Sequence, residues 1–398
     1  MKLLKAIGRV FSRHKDTQPV VIFDIGSASV GGAVVSLKES PHVEYSTREY
    51  IPLQEVPDES HFIPVMAETL LRVGRDIQKT GLNRDGTSVL PRDIIAVFGS
   101  PWHDTRTIAA SFEHHESFKV TDRVMDNLLA QIRDKKNNSP KDSGKTSVVI
   151  EEKIIHSSLN GYVTNSPLGK TARRINVTFL ESTVSKDMHE RVSSVIHEVF
   201  SPDVPLILRS FTLTSFSLAR DMFPEKKNFL LVDVTGEVSE ISVIQDSILG
   251  DTLSFPYGRN TVVRNIAKSA GSLPEETLSR VKMYFSSGGN ELEGQMTEEE
   301  KRWTEMFGKA CAELSTSALP LPQTVFLVAD TVFAKWFKGM IERVDFSQFT
   351  ITHESFQVFS LIEAHIEETC TAKEGVVCDS FLITEALFYN KEHQLRGS

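Results

Sequence analysis

Two hydrophobic hairpins with the same layout constrain this chain more than any other feature of its sequence. The first is VVIFDIGSASVGGAVV, residues 20–35, and the second is FLLVDVTGEVSEISVI, residues 229–244. Each has four apolar residues, an Asp, an apolar residue, a turn and a second strand, which places Asp24 and Asp233 at equivalent points. A hairpin that recurs after about 209 residues predicts two related half-molecules with a cleft between them.

The residue types in the two turns suit the binding of a phosphate group. Backbone N–H groups in a tight turn of Gly, Ser and Thr can converge on phosphate oxygens. An Asp at the end of a buried strand can hold Mg²⁺ directly or through water. A turn of small residues can also do no more than reverse the chain. The recurrence of the hairpin favours the phosphate-binding interpretation.

Composition excludes several other classes of protein. The chain has 398 residues and a formal net charge of −9, so we expect a multi-domain globular protein without a broad nucleic-acid surface. Its three cysteines, Cys311, Cys370 and Cys378, lack CxxC spacing and are too few for a disulfide framework, which favours a reducing compartment. No apolar run is long enough to predict a transmembrane helix.

The first 15 residues, MKLLKAIGRVFSRHK, form a basic leader in a chain that is acidic overall. The apolar residues fall on one face of a predicted helix, and they are Leu3, Leu4, Ile7, Val10 and Phe11. The basic residues are Lys2, Lys5, Arg9, Arg13 and Lys15. Such a helix can lie in an anionic membrane interface, or it can dock on the protein's own core. The sequence leaves both alternatives open.

The region between the hairpins predicts a compact α+β unit. Strand-like runs precede a helix that begins near Thr121 and Asp122, and alternating strand patterns resume after residue 147. Residues 133–147, RDKKNNSPKDSGKTS, predict a loop. Its GKT resembles part of a phosphate-binding P-loop, but Ser139 stands where that motif requires Gly, so we do not predict a P-loop there.

The paired hairpins resemble the phosphate-1 and phosphate-2 hairpins of the actin, Hsp70 and sugar-kinase superfamily. Within it the chain is similar to FtsA of bacterial cell division and PilM of type IV pilus assembly. Residues 93–132 and 154–184 resemble the inserted SHS2-type domain of those proteins, and residues 254–285 resemble a segment of FtsA. The resemblance implies an α/β fold with two actin-like lobes, each ribonuclease-H-like, and an inserted α+β subdomain.

The resemblance also implies how the chain is divided. The expected parts are a basic amphipathic segment (1–16), a first lobe (17–88 with 186–225), an inserted SHS2-type subdomain (89–185), a second lobe (226–271 with 323–398) and a helical subdomain of that lobe (272–322).

By the same resemblance, the cleft would bind ATP with Mg²⁺. The implied nucleotide contacts are Asp24, Gly26, Ser27, Ser29, Asp233, Gly236, Ser239, Gly258, Lys282 and Ala329. Asp24 and Asp233 would hold the Mg²⁺ ion. The motifs identify no catalytic residue.

Several positions depart from the family pattern. The lysine that often follows the first turn is absent, since residues 30 and 31 are Val and Gly. Glu237 stands where the second turn usually has Gly, and a carboxylate aimed at a phosphate would repel it. Ala329, Asp330 and Thr331 replace the glycines that let the backbone lie against adenosine. These departures predict weakened or lost nucleotide binding.

The function expected from this reasoning is a membrane-associated actin-like scaffold or adaptor for bacterial cell division or for envelope or pilus assembly. It would lie in the cytoplasm on the inner face of the membrane, through the leader, and bind protein partners of that machinery, with self-assembly as a further expectation and no nucleic-acid partner. A PilM-like role would place a peptide of a membrane partner against the inserted domain. The alternative is an ATPase that uses Asp24, Asp233 and Mg²⁺, and a sugar or acetate kinase is a third alternative.

Overall fold

The fold is taken from a computed structural model of the chain. It describes residues 18–54, 59–84, 86–137, 147–288, 291–316, 320–361, 369–377 and 379–397. The leader, with its predicted membrane residues Leu3, Leu4, Ile7, Val10, Phe11, Lys2, Lys5 and Arg9, lies outside the described residues, as does Cys378. No helix among the described residues is long and apolar enough to cross a membrane.

The first lobe is built on a six-stranded sheet. Its strands are β1 (Val20–Ile25), β2 (Ser29–Ser36), β3 (His42–Tyr50), β6 (Ile94–Phe98), β11 (Leu206–Ser210) and β17 (Thr371–Ala372), in the order β11-β6-β1-β2-β3-β17. Two short strands, β4 (Asn83–Arg84) and β5 (Thr87–Ser88), pair separately. β1 is buried along its whole length, runs antiparallel to β2 and runs parallel to β6. It is therefore the central strand of this lobe.

Helices cover both faces of the first sheet. They are α1 (Glu59–Asp76), followed by a π turn (Ile77–Gly81), α3 (Lys186–Val199), α4 (Phe211–Met222) and α9 (Ser380–Gly397). Because side chains alternate along a strand, Val21 and Phe23 of β1 pack with α1 and α3, while Val20 and Ile22 pack with α4 and α9. This alternation explains the continuous apolar run at the start of the first hairpin.

A separate α+β unit is inserted between β6 and β11. Its elements are β7 (His103–Lys119), α2 (Asp122–Asn137), β8 (Ser147–Leu159), β9 (Tyr162–Val163) and β10 (Thr171–Ser185). The strands form an antiparallel sheet in the order β7-β10-β8-β9, and α2 packs on one face through Met125 and Leu128. The strand β6, which we placed inside the expected segment 89–185, pairs with β1 in the first lobe instead.

The second lobe repeats the central arrangement of the first. Its strands are β12 (Phe229–Val234), β13 (Ser239–Gln245), β14 (Ile248–Phe255), β15 (Thr324–Ala329) and β16 (Gln357–Ser360), in the order β14-β13-β12-β15-β16. β12 runs antiparallel to β13 and parallel to β15, as β1 does to β2 and β6. Asp24 and Asp233 are each the fifth residue of a six-residue strand. The repeat predicted from the sequence is therefore present in the structure.

Among the residues that the structure describes, the second lobe also has four helices and a short 3-10 helix. They are α5 (Arg259–Ala270), α6 (Pro274–Ser287), α7 (Glu293–Thr316), α8 (Thr331–Arg343) and the 3-10 helix Ser347–Phe349. Their aromatic residues form the centre of the core, where Trp303 stacks on Phe307 with ring centroids 4.9 Å apart. This core packs against β12 and so holds the second hairpin in place.

Candidate functional site

The turns of the two hairpins meet at a cleft between the lobes. Six of the residues implied by the resemblance line this cleft, and they are Asp24, Gly26, Ser27, Ser29, Asp233 and Gly236. The cleft also contains Arg48, Arg259 and Asp330. Its volume is about 40 Å³, far below the ~300–1,000 Å³ usual for a pocket that holds a small-molecule ligand.

The cleft is narrow because the two turns contact each other directly. The Ser27 hydroxyl donates to Thr235 Oγ1 at 3.3 Å, and the backbone N–H of Glu237 donates to Ser27 Oγ at 3.1 Å. A Cβ added at Gly236 would lie 2.5 Å from the Cβ of Ala28. These contacts occupy the space between the turns and use polar groups that a phosphate would otherwise meet.

An arginine that the motifs did not identify binds Asp24. Arg48, on β3, donates from Nη2 to Asp24 Oδ2 at 2.6 Å and from Nη1 to Ser29 Oγ at 2.8 Å. The same guanidinium donates to both carboxylate oxygens of Asp379, from Nε at 2.6 Å and from Nη2 at 2.9 Å. We call Arg48 with Asp24, Ser29 and Asp379 the arginine clasp. It ties β1, β2 and β3 to the residue that precedes α9.

Gly31 makes room for the arginine clasp. It is paired with Arg48 across β2 and β3, and a Cβ at this position would lie 2.5 Å from Nη2 of Arg48. The position where the family often has a lysine therefore has no side chain. The cation beside Asp24 is instead Arg48, which lies on β3, next to β2 in the sheet.

The clasp lies among buried carboxyl groups whose pKa values are raised. Burial raises the pKa of Asp24, although the charge of Arg48 opposes the shift. Burial, and then the charge of Asp24, raises the pKa of Glu385 well above its usual range. Burial alone would lower the pKa of Arg48, but the carboxylates of Asp379 and Asp24 raise it, so the guanidinium stays charged.

In the described part of the chain, Asp233, the counterpart of Asp24, forms no ion pair with a cation. Its Oδ1 is buried and has no hydrogen-bond partner. Burial, then the charges of Glu240 and Asp24, raises its pKa well above the usual range. Glu240 itself accepts hydrogen bonds from the hydroxyls of Ser100 at 2.9 Å and Thr212 at 2.8 Å.

These observations test whether the cleft fits Mg²⁺. A bound Mg²⁺ ion needs ionised carboxylates and room for its water ligands. Asp24 is already paired with a guanidinium, whereas Oδ1 of Asp233 is buried without a hydrogen-bond partner. Of the two predicted Mg²⁺ ligands, Asp24 is therefore available in this conformation only if Arg48 is displaced.

Side chains also lie across the part of the cleft where the resemblance predicts the adenosine of ATP. Asp330 accepts from the backbone N–H of Val332 at 3.0 Å, which caps α8, and forms a salt bridge with Arg259. The Arg259 guanidinium lies 4.9 Å from the centre of the Tyr50 ring, and Lys282 Nζ lies 5.2 Å from it. Tyr50 belongs to the first lobe, so this cation–π cluster joins the two lobes.

The remaining implied contacts lie elsewhere. Ser239 is fully buried, donates to the carbonyl of Tyr257 and accepts from the indole N–H of Trp303. Gly258 precedes α5, where a Cβ would lie 2.4 Å from the carbonyl oxygen of Gly236. Ala329 is buried in the core of the second lobe. Ser239 and Ala329 therefore serve packing in this conformation.

Glu237 does not point unpaired into the cleft. Its carboxylate accepts from the guanidinium of Arg264, at 3.1 Å from Nη1, and from Asn260 Nδ2 at 2.9 Å. The first turn of α5 also uses its backbone donors locally, because the N–H of Asn260 bonds the carbonyl of Gly236 at 2.8 Å. The repulsion expected from Glu237 is therefore neutralised within the protein.

Comparisons with known proteins agree on the fold. No protein-family model and no curated protein matches the chain. A solved structure described as a "PilM-PilN type IV pilus biogenesis complex" matches with a TM-score of 0.59 at 12% identity, over 94% of this chain and 98% of that one.

Two other solved structures match less closely. MreB 5 of Spiroplasma citri bound to AMPPNP matches with a TM-score of 0.44 at 10% identity, over 96% of this chain and 98% of that one. The ethanolamine utilization protein EutJ from Carboxydothermus hydrogenoformans matches with a TM-score of 0.43 at 14% identity, over 85% and 83% of the two chains.

At 12% identity the PilM match is evidence about the fold alone. It agrees with the repeated hairpins and the two central sheets, so the predicted fold class is confirmed. This chain has the two-lobed actin-like fold that it shares with PilM.

Proposed function

We propose that this protein is an actin-like scaffold of the bacterial envelope, acting in pilus assembly or cell division with nucleotide binding weakened or lost. The observation that carries this proposal is the arginine clasp, in which Arg48 lies 2.6 Å from Asp24. The guanidinium is bound to the carboxylate that Mg²⁺ would need. Mg²⁺ with ATP would have to displace Arg48 and also separate the turns that Ser27 and Thr235 join.

A protein partner is the natural ligand of a scaffold with a closed cleft. The PilM structure is part of a complex with PilN, and this chain covers 98% of that PilM chain. By analogy, we place the partner among the proteins of the pilus or division machinery. The basic leader would hold the scaffold on the inner face of the cytoplasmic membrane, since anionic lipid attracts each basic residue near the surface by roughly 1 kcal/mol.

The nucleotide part of the proposal is tested by unfolding the full chain with and without ATP and Mg²⁺. A ligand that binds only the native state at 100 times its Kd stabilises it by about 2.7 kcal/mol. We expect no measurable change at millimolar ATP. An ATP-dependent rise in the free energy of unfolding that EDTA removes would contradict the proposal.

That contradicting result would support the alternative function, an ATPase that binds Mg²⁺. One observation favours this alternative, because Oδ1 of Asp233 is buried at the cleft without a partner. A variant in which Asp233 is replaced by Asn separates the two. The ATPase predicts that the Asn variant loses ATP-dependent stabilisation, whereas the scaffold predicts no ATP effect in either protein.

A further inference from the structure

A second cavity lies in the first lobe and shares no lining residue with the cleft between the hairpins. Its volume is about 310 Å³, which is in the range of sites that hold a ligand or several side chains. Leu218 of α4 and Leu387 and Phe388 of α9 form its apolar wall. Pro41, in the connection between β2 and β3, closes one side.

Asn390, which lines the cavity, carries a buried hydrogen-bond acceptor that has no partner. Asn390 is 5% exposed, and its Oδ1 has no partner, although its Nδ2 donates to the carbonyl of Glu39 at 3.4 Å. A buried acceptor without a donor is unfavourable, so an occupant whose donor reaches it is favoured. Glu39 is exposed at the rim, where Asp221 pairs with Lys391. The site therefore suits a segment that is apolar on one face and carries cationic donors.

The leader at residues 1–15 has this chemistry. Its predicted apolar face is Leu3, Leu4, Ile7, Val10 and Phe11, and it carries five basic residues and no acidic one.

The described chain begins close to the cavity. The carbonyl of Pro19 accepts from the backbone N–H of Arg92 at 2.8 Å, and Arg92 Nη1 lies 3.0 Å from Nε2 of His393. His393 is on α9, next to Gln394, which lines the cavity and donates to the carbonyl of Glu39. A 15-residue helix is about 22 Å long, so the leader can reach the cavity from Pro19.

We propose that the leader docks in this cavity of its own chain, with its apolar face on Leu218, Leu387 and Phe388 and a Lys or Arg donating to Asn390. Docking uses the same apolar face that a membrane interface would take, so the two states exclude each other. The docking itself does not depend on the proposed membrane role. The competition between the cavity and the membrane for the leader does rest on that role.

Crosslinking in the full chain tests the docking. Cys is placed at position 394, in Gln394→Cys, and singly in the leader, in Leu4→Cys, Ile7→Cys or Phe11→Cys. Cys378 is replaced by Ser, and Cys311 and Cys370 are buried. Oxidised glutathione then links cysteines whose Cα atoms come within about 7 Å. We expect at least one leader position to form an intramolecular disulfide at least fivefold faster than with the matched control Tyr162→Cys, which lies on the inserted unit and is 80% exposed.

Two results would overturn the docking. One is that the disulfide forms no faster with Gln394→Cys than with Tyr162→Cys at all three leader positions. The other is a disulfide that joins two chains, which would place the leader on a second copy.

A further variant, Glu39→Arg, tests the charge at the rim and the competition with membrane. We expect it to slow the crosslink severalfold at low salt and to increase binding to phosphatidylglycerol vesicles. If the crosslink forms while neither protein binds vesicles, the docking stands and the proposed membrane role fails.

Discussion

Replacement of Arg48 by Met measures what the arginine clasp contributes to stability. Met keeps much of the apolar stem but removes a guanidinium that makes four hydrogen bonds, to Asp24, Ser29 and Asp379. The Asp24 side chain is 5% exposed, so its charge would remain buried without a partner. Breaking a buried ion pair in this way costs about 3–5 kcal/mol, and we expect R48M to lose that much free energy of unfolding.

The loss depends on pH in a direction that the clasp determines. Arg48 lowers the pKa of Asp24, so its removal raises that pKa further above the unfolded value near 3.8. A carboxyl group with a raised pKa in the folded state binds more protons when folded, and it destabilises the protein as pH rises through that window. R48M should therefore lose less stability at pH 5 than at pH 8.

Urea unfolding at both pH values, with the exposed pair Arg75 and Glu198 as a control, completes the test. Arg75→Met removes a guanidinium whose side chain is 64% exposed and should change stability by less than about 1 kcal/mol. The double variant D24N/R48M should recover about 1–3 kcal/mol relative to the sum of the two single variants. If R48M costs no more than R75M, or if the double variant is additive, our account of the clasp is wrong.

Two further substitutions test the cleft. Asp233→Asn removes a buried carboxyl group whose pKa is raised, so the variant should be more stable relative to the unmodified chain at pH 8 than at pH 5, as measured by urea unfolding. The control Asp203→Asn, at an exposed position, should show no such difference between the two pH values. Gly236→Ala brings a Cβ within 2.5 Å of Ala28 and should lower the free energy of unfolding by about 1–3 kcal/mol in thermal unfolding. The control Gly294→Ala, where a Cβ would have no atom within 4 Å, should be neutral or stabilising. Equal effects of the two substitutions would show that the turns are not in contact.

Those features of the fold that depend on a pattern of neighbouring residues could be predicted from the sequence. The two hairpins were recognisable because each consists of adjacent residues with the same apolar spacing and the same Asp. The strand β6 was harder to place, since its pairing with β1 depends on a connection of more than 60 residues. Its apolar run alone fits either the first lobe or the inserted unit.

The partners in the cleft could not be predicted in the same way. Arg48 is 24 residues from Asp24, and Asp379 is 331 residues from Arg48. Their contact depends on the register of β2 with β3 and on where α9 packs, and neither follows from residue spacing. The absence of a side chain at Gly31 was the one sequence signal, and it indicated a lost lysine without revealing the arginine that replaces it.

The position of Asp379 also has a consequence for how the protein is made. Ribosomes extend a chain at about 5–20 residues per second, so Asp379 is added roughly 15–65 s after Arg48, which is 331 residues earlier. Until then the first lobe also lacks Leu382, Ile383 and Ala386, which pack with Val20 and Ile22 in its core. The lobe that is synthesised first is therefore completed last, and its core stays incomplete for the whole of that interval.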